Sequence, residues 1–109
     1  MLFYELPVGE KTYKLRLNTR NIVTLEKLLG TNPLGVFGAG DRIPTITEMV
    51  HILHASLQQY EHSITLEDAY NIFDEYIEQG NTSTDFIAVI VEVYKVSGII
   101  KANNKTQKN

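Results

Sequence analysis

Three times after residue 44, a threonine stands three residues before an acidic residue, and apolar residues follow at helical spacing. The pairs are Thr45 with Glu48, Thr65 with Asp68, and Thr82 with Asp85. In such a capping box the threonine oxygen and the acidic side chain each accept a hydrogen bond from a backbone N–H that the first turn of a helix leaves unpaired. The pattern therefore predicts three helices, near residues 46–60, 66–79 and 83–100.

The first thirty residues predict a β-hairpin and one further helix. Apolar residues alternate with other residues around Tyr4 and again around Leu15, as in half-buried strands, and residues 7–10 supply a turn with a glycine. Asn18 or Thr19 then caps a helix that runs to Leu29 and stops at Gly30. We expect an α+β fold, mainly α, with an N-terminal hairpin followed by about four helices. Residues 1–100 form a single domain in this interpretation, and residues 101–109 form a flexible polar tail.

The charges of the chain are segregated along the sequence. The formal net charge is −3, but residues 43–94 contain nine acidic residues and neither lysine nor arginine. The flanking segments, residues 1–42 and 95–109, are both net positive. A long acidic stretch repels a phosphate backbone, so we expect no binding to nucleic acid. The acidic residues either complement a basic protein partner or keep the domain in solution.

Composition argues against several classes of chemistry. The chain has no cysteine, which excludes disulfides and thiolate sites, and no apolar run reaches the roughly 18 residues of a membrane span. His51 and His54 share one side of a helix, but no third ligand accompanies them, so we predict no metal site. The serines lie in no nucleophile motif. We therefore expect no enzyme activity, no cofactor, no membrane association, and a cytoplasmic location.

The fourth predicted helix differs from the others because apolar residues surround most of it. A small domain has little interior in which to bury such a helix. If Ile87, Val91 and Tyr94 are exposed, they form an apolar patch of the kind that marks an interaction site. The pattern thus favours self-association or partner binding through this helix. The alternative is that the hairpin covers its far side and buries it within the monomer.

A family resemblance comes from sequence motifs in the first third of the chain. The hairpin ends in Tyr13-Lys14-Leu15-Arg16-Leu17-Asn18-Thr19 and leads directly into a helix. Leu-Glu-x-x-Leu-Gly-x-Asn-Pro-Leu follows over residues 25–34, and a loop, an acidic helical pair and an apolar last helix complete the chain. Over residues 1–100 this order resembles the tail assembly chaperones of long-tailed phages and prophages of Gram-positive bacteria.

The resemblance implies a role in virion morphogenesis. Such chaperones bind the long tape measure protein in the host bacterial cytoplasm, help recruit the major tail tube protein, and are absent from the mature virion. Many occur in two lengths, through a ribosomal frameshift near the end of the shorter reading frame. For this chain we predict partner or self contacts, including a homo-oligomer, through five apolar residues: Ile72, Tyr76, Ile87, Val91 and Tyr94. Four acidic residues of the third helix would steer a basic partner: Glu67, Asp74, Glu75 and Glu78.

The alternative hypothesis is a small structural virion protein, such as a head–tail connector or neck component. Proteins of that class also combine hairpins with helices and form oligomers, but they remain in the mature particle. Peptides of this chain in purified virions would favour this alternative.

Overall fold

The computed structural model describes residues 2–102. Two strands, β1 (Tyr4–Val8) and β2 (Lys11–Leu15), precede four α-helices and one 3-10 helix (Pro33–Phe37) in this part of the chain. The α-helices are α1 (Thr19–Leu29), α2 (Ile46–Leu57), α3 (Leu66–Glu78) and α4 (Ser83–Val96). The predicted α+β, mainly α class is confirmed. Met1 and residues 103–109, which include most of the predicted polar tail, lie outside the described residues.

The hairpin turns more tightly than its sequence suggests. Val8 is opposite Lys11 in the antiparallel ladder, so only Gly9 and Glu10 form the connection. Gly9 has φ = 62°, the positive value required at the first central position of a type II′ turn. The prediction that the turn begins at Pro7 is wrong. Pro7 and Val8 belong to β1, because Val8 packs into the core and Pro7 lies at an outer edge where no N–H is needed.

The predicted starts of α2, α3 and α4 are confirmed, and each carries a complete capping box. At the first of them, the Glu48 N–H donates to Thr45 Oγ1 at 3.1 Å and the Thr45 N–H donates to Glu48 Oε1 at 2.9 Å. The helix ends come earlier than predicted. α2 stops at Leu57 rather than near residue 60, and α4 stops at Val96 because Gly98 adopts φ = 79° in the following turn.

The core lies between the hairpin and the helices. β1 packs against α3 and α4, and β2 packs against α2. The inner face of the sheet and the facing helices share one cluster of buried apolar side chains. Leu25 is the buried residue of α1, whereas Leu28, which the helical pattern assigns to the same face, is 56% exposed.

The 3-10 helix and the loop after it are held by polar side chains. Asn32 caps the 3-10 helix, because its Oδ1 accepts hydrogen bonds from the N–H groups of Leu34 and Gly35. Arg42 donates to the Val36 carbonyl at 2.8 Å and pairs with Glu48 at 2.9 Å. This joins the loop to the first turn of α2.

Between residues 2 and 102, no helix is long and apolar enough to cross a membrane.

Candidate interaction surface

Helix α4 is covered by the rest of the chain more fully than the patch hypothesis requires. Its five buried residues are Phe86, Val89, Ile90, Val93 and Tyr94. The hairpin lies against it through β1, as in the alternative stated above. Ile87 and Val91 are partly exposed, and Ala88 between them is exposed. What α4 offers to a partner is therefore a narrow apolar strip at Ile87, Ala88 and Val91.

Tyr94 is the clearest departure from prediction, because it is fully buried in the monomer. Its hydroxyl donates a 2.8 Å hydrogen bond to the Pro33 carbonyl, and its ring meets Phe37 edge-on at 6.2 Å between centroids. Burial, and secondarily the negative charge of Glu48, raises the pKa of Tyr94 well above its usual range. The prediction that Tyr94 is exposed is wrong: the 3-10 helix covers it.

The buried face of α3 includes two residues that are predicted to contact a partner. Ile72 and Tyr76 are buried, whereas Tyr70 on the same helix is 42% exposed. Phe86 of α4 explains the burial of Tyr76. Its ring centroid lies 5.5 Å from that of Tyr76 and 5.2 Å from that of Phe73, and both contacts are edge-on. These aromatic contacts bury Tyr76 and carry the adjoining Ile72 inward, so neither side chain is available to a partner in this conformation.

The acidic side chains of α3 lie on its outer face. The four residues predicted to steer a partner are all exposed: Glu67, Asp74, Glu75 and Glu78. Tyr70 stands among them, one helical turn from both Glu67 and Asp74. The Glu75 carboxylate folds over the hairpin turn, where an added Cβ on Gly9 would collide with it. The outer face of α3 therefore combines four carboxylates with one exposed aromatic ring.

Several exposed apolar side chains were not singled out by sequence reasoning. Leu34, Ile43 and Ile46 belong to the segment from the 3-10 helix to the first turn of α2, and each is at least two-fifths exposed. Leu28 precedes them on the last turn of α1. Hydrophobic periodicity misses Leu34 and Ile43 because the first lies in a short 3-10 helix and the second in irregular structure. Only the glycine- and proline-rich composition of residues 31–44 marks the segment as a loop that reaches the surface.

Two of the three histidines lie beside backbone carbonyl groups where α2 ends and the loop to α3 begins. The Nε2 atom of His54 lies 3.2 Å from the Ile64 carbonyl, and the Nδ1 atom of His62 lies 2.9 Å from the Gln58 carbonyl. Gln58 donates to the same Ile64 carbonyl at 3.0 Å. Residues 2–102 contain no group of three histidine or acidic side chains placed to hold a metal ion.

Comparison with known proteins gives one match. Residues 5–109 match a family of unknown function, DUF6096. The chain belongs to this family. The match covers nearly the whole hairpin and all of the helices, so the fold described above is that of a DUF6096 protein. No curated protein and no solved structure matches the chain.

Proposed function

We propose that this DUF6096 protein is a phage tail assembly chaperone that binds the tape measure protein and helps recruit the major tail tube protein. The observation that carries the proposal is the sequence motif of residues 25–34, which comes after the hairpin, at the end of the first helix and in the turn beyond it, in the order that such chaperones show. On this proposal the protein acts in the host bacterial cytoplasm, has no enzyme activity, and is absent from the mature virion.

The local geometry of residues 25–34 supports treating this sequence motif as one structural unit. Leu25 is buried, and Gly30 ends α1 with φ = 74°. Asn32 and Pro33 then start the 3-10 helix, and Pro33 accepts the hydrogen bond from Tyr94. Leu25, Gly30, Asn32 and Pro33 thus each have a defined place at the end of α1 or the start of the 3-10 helix, and Pro33 joins this segment to α4.

The surface features support a binding role. A tape measure protein is long and helical with apolar stripes, so a chaperone for it needs exposed apolar contacts and a means of guiding its partner. The strip at Ile87, Ala88 and Val91 supplies the exposed apolar contacts. The carboxylates on the outer face of α3 supply electrostatic guidance for a basic segment of the partner. The same strip is the candidate surface for self-association.

Co-expression with the product of the very long helix-rich reading frame expected near this gene tests the proposal. We expect the two proteins to co-purify, and Val91→Asp to weaken the complex at least tenfold, since a carboxylate would enter an apolar contact. Val23→Asp, the same substitution at an exposed position of α1, is the matched control, and circular dichroism checks that both variants fold. Unfolding of Val91→Asp alone would place Val91 in the core instead.

Two outcomes would contradict the chaperone role. One is the absence of any complex between the two wild-type proteins. The other is the presence of this chain in purified virions at a fixed copy number, which would favour a connector or neck component.

A further inference from the structure

The hairpin has two outer edges, and the register shows which backbone groups face them. Val8 and Lys11 flank the two-residue turn, so they pair through both of their backbone hydrogen bonds. Alternation then directs the N–H and C=O groups of residues 5, 7, 12, 14 and 16 outward. Two observed hydrogen bonds agree with this alternation of inward and outward backbone groups. The Pro7 carbonyl accepts from Gln79 Nε2 at 3.0 Å, and the Arg16 N–H donates to the Ser56 carbonyl at 2.9 Å.

The two edges differ in what they leave open. On β1, Pro7 has no N–H and its carbonyl is taken by Gln79, so that edge is blocked at its centre. On β2, the outward N–H and C=O groups of Thr12 and Lys14 form no hydrogen bond with any other residue between 2 and 102. Both of these residues are exposed. β2 therefore presents four unpaired backbone groups, which is a template for another strand.

The side chains along the open edge are basic. β2 carries Lys11 and Lys14 and no acidic residue, and neither ammonium group has a carboxylate partner among residues 2–102. Lys14 Nζ instead lies 5.0 Å from the ring centroid of Phe3 and 5.9 Å from that of Tyr60. The Lys14 ammonium group thus lies beside these two rings and forms no ion pair with Glu5, which is directly opposite Lys14 in the ladder.

We propose that the outer edge of β2 binds an extended, acidic segment of a partner protein as a third strand of the sheet. The backbone groups of Thr12 and Lys14 would supply the hydrogen bonds, and Lys11 and Lys14 would select for carboxylates. The edge is closed at Arg16 by Ser56, so the added strand spans about five residues, roughly 17 Å. This surface is separate from α3 and α4, and the inference does not rest on the proposed function.

A second copy of the chain is a poor occupant of the same edge. Pairing β2 with β2 of another copy would bring the lysines of both strands together, and like charges on neighbouring strands repel. Lysine on an exposed edge is a known means of keeping identical edges apart. The same repulsion acts against any basic strand, which leaves an acidic strand as the favoured class.

A seven-residue peptide that alternates glutamate and valine, blocked at both ends, is the probe. Added to the full chain, it should slow hydrogen exchange at the Thr12 and Lys14 amides by about tenfold or more at saturation, because both would become hydrogen-bonded. In a control peptide the two central backbone nitrogens are methylated, which removes one hydrogen-bond donor from each side of the extended peptide. This control peptide should not slow hydrogen exchange at Thr12 and Lys14. A lysine–valine peptide should not bind.

Paired variants separate the edge from general electrostatic attraction. Lys14→Gln should weaken binding of the glutamate peptide roughly two- to fivefold, as expected for one exposed ion pair. Lys27→Gln removes the same charge from the exposed side of α1 and should leave affinity unchanged. The proposal is overturned if the peptide binds without protecting Thr12 and Lys14, if the methylated peptide binds equally well, or if both variants lose affinity to the same extent.

Discussion

At the scale of single residues, a few polar atoms determine where large side chains lie. Tyr94 is the one buried residue of α4 with a polar side-chain group, and its hydroxyl has a partner 61 positions away at the Pro33 carbonyl. A buried hydroxyl is costly unless it is hydrogen-bonded, so this one contact makes complete burial of the ring possible. Glu48 likewise serves two segments, the capping box of α2 and the ion pair with Arg42.

Replacing Tyr94 by phenylalanine tests the first of these contacts. Tyr94→Phe leaves the Pro33 carbonyl without its donor, and we expect the free energy of unfolding to fall by about 1–3 kcal/mol. Denaturant titration measures this change. Tyr70→Phe removes the same atom from an exposed ring and should stay within about 0.5 kcal/mol of the wild type. Equal effects of the two substitutions would mean that the Tyr94 hydroxyl makes no net contribution.

The Glu48 carboxylate should make stability depend on pH. Partial burial raises its pKa, but hydrogen bonds from Arg42 and Thr45 and the Arg42 charge outweigh this, so the pKa lies below the ordinary value of 4.5. A group with a lowered folded-state pKa stabilises the fold above its unfolded pKa, and that stability is lost as pH falls through the folded pKa. We expect Glu48→Gln to be less stable than the wild type near neutrality and to lose less stability below about pH 4.5.

Thermal unfolding across this pH range provides the measurement. Glu10→Gln is the control, because Glu10 is exposed and forms no hydrogen bond through its side chain with other residues between 2 and 102. A Glu48→Gln profile parallel to that of the wild type would contradict the assigned role.

At the scale of elements, the sequence predicts where helices begin much better than which side they bury. Each capping box is a local arrangement of four residues, so it can be recognised without knowing the fold. The face of α3 cannot be recognised in this way, because Tyr70, Ile72 and Tyr76 are all apolar enough for the core. Phe86 of α4 decides between them, and that contact joins separate elements. The same limit applies to the candidate interaction surface. The sequence predicts its exposed acidic residues, but three of the five apolar residues predicted to contact a partner are buried.

The contact between the hairpin and α3 predicts an effect at this scale. Gln79 accepts a hydrogen bond from the Gly9 N–H at 2.9 Å and donates to the Pro7 carbonyl at 3.0 Å. Gln79→Ala removes both bonds and should lower the free energy of unfolding by about 1–2 kcal/mol. Hydrogen exchange at the Gly9 amide should accelerate. Glu78→Ala, at the adjacent exposed position, should do neither. Unchanged exchange at Gly9 would show that the turn does not need this tether.

At the scale of the whole molecule, one arginine fastens segments that are far apart in sequence. Arg16 Nη1 donates to the Leu2 carbonyl at 3.1 Å and to the Val96 carbonyl at 3.0 Å. The neighbouring Leu17 N–H donates to Ser97 Oγ at 2.8 Å. The start of β1 and the end of α4 are thereby joined to the end of β2. Nothing in the hydrophobic pattern marks this role, because it depends on carbonyl groups.

Substitution of Arg16 by lysine tests this junction while keeping the charge. A lysine is shorter and lacks the guanidinium Nη1 that donates to both carbonyl groups, so Arg16→Lys should cost about 1.5–3 kcal/mol in the free energy of unfolding. Arg20→Lys, on the exposed side of α1, should cost less than about 0.5 kcal/mol. Urea denaturation followed by circular dichroism gives both values. Similar values for the two variants would show that a single charge is sufficient at this position.

The fastening of the hairpin at both ends also sets an order of events during folding. Gln79 holds the turn and Arg16 holds the open end, and their partners lie 70 to 80 positions away in the sequence. Contacts over such separations require the closure of long loops, so they form late. A two-stranded hairpin alone is only marginally stable in water. The hairpin is therefore fully fastened only once α4 is in place, and a nascent chain without α4 leaves the part of β1 that packs on this helix uncovered.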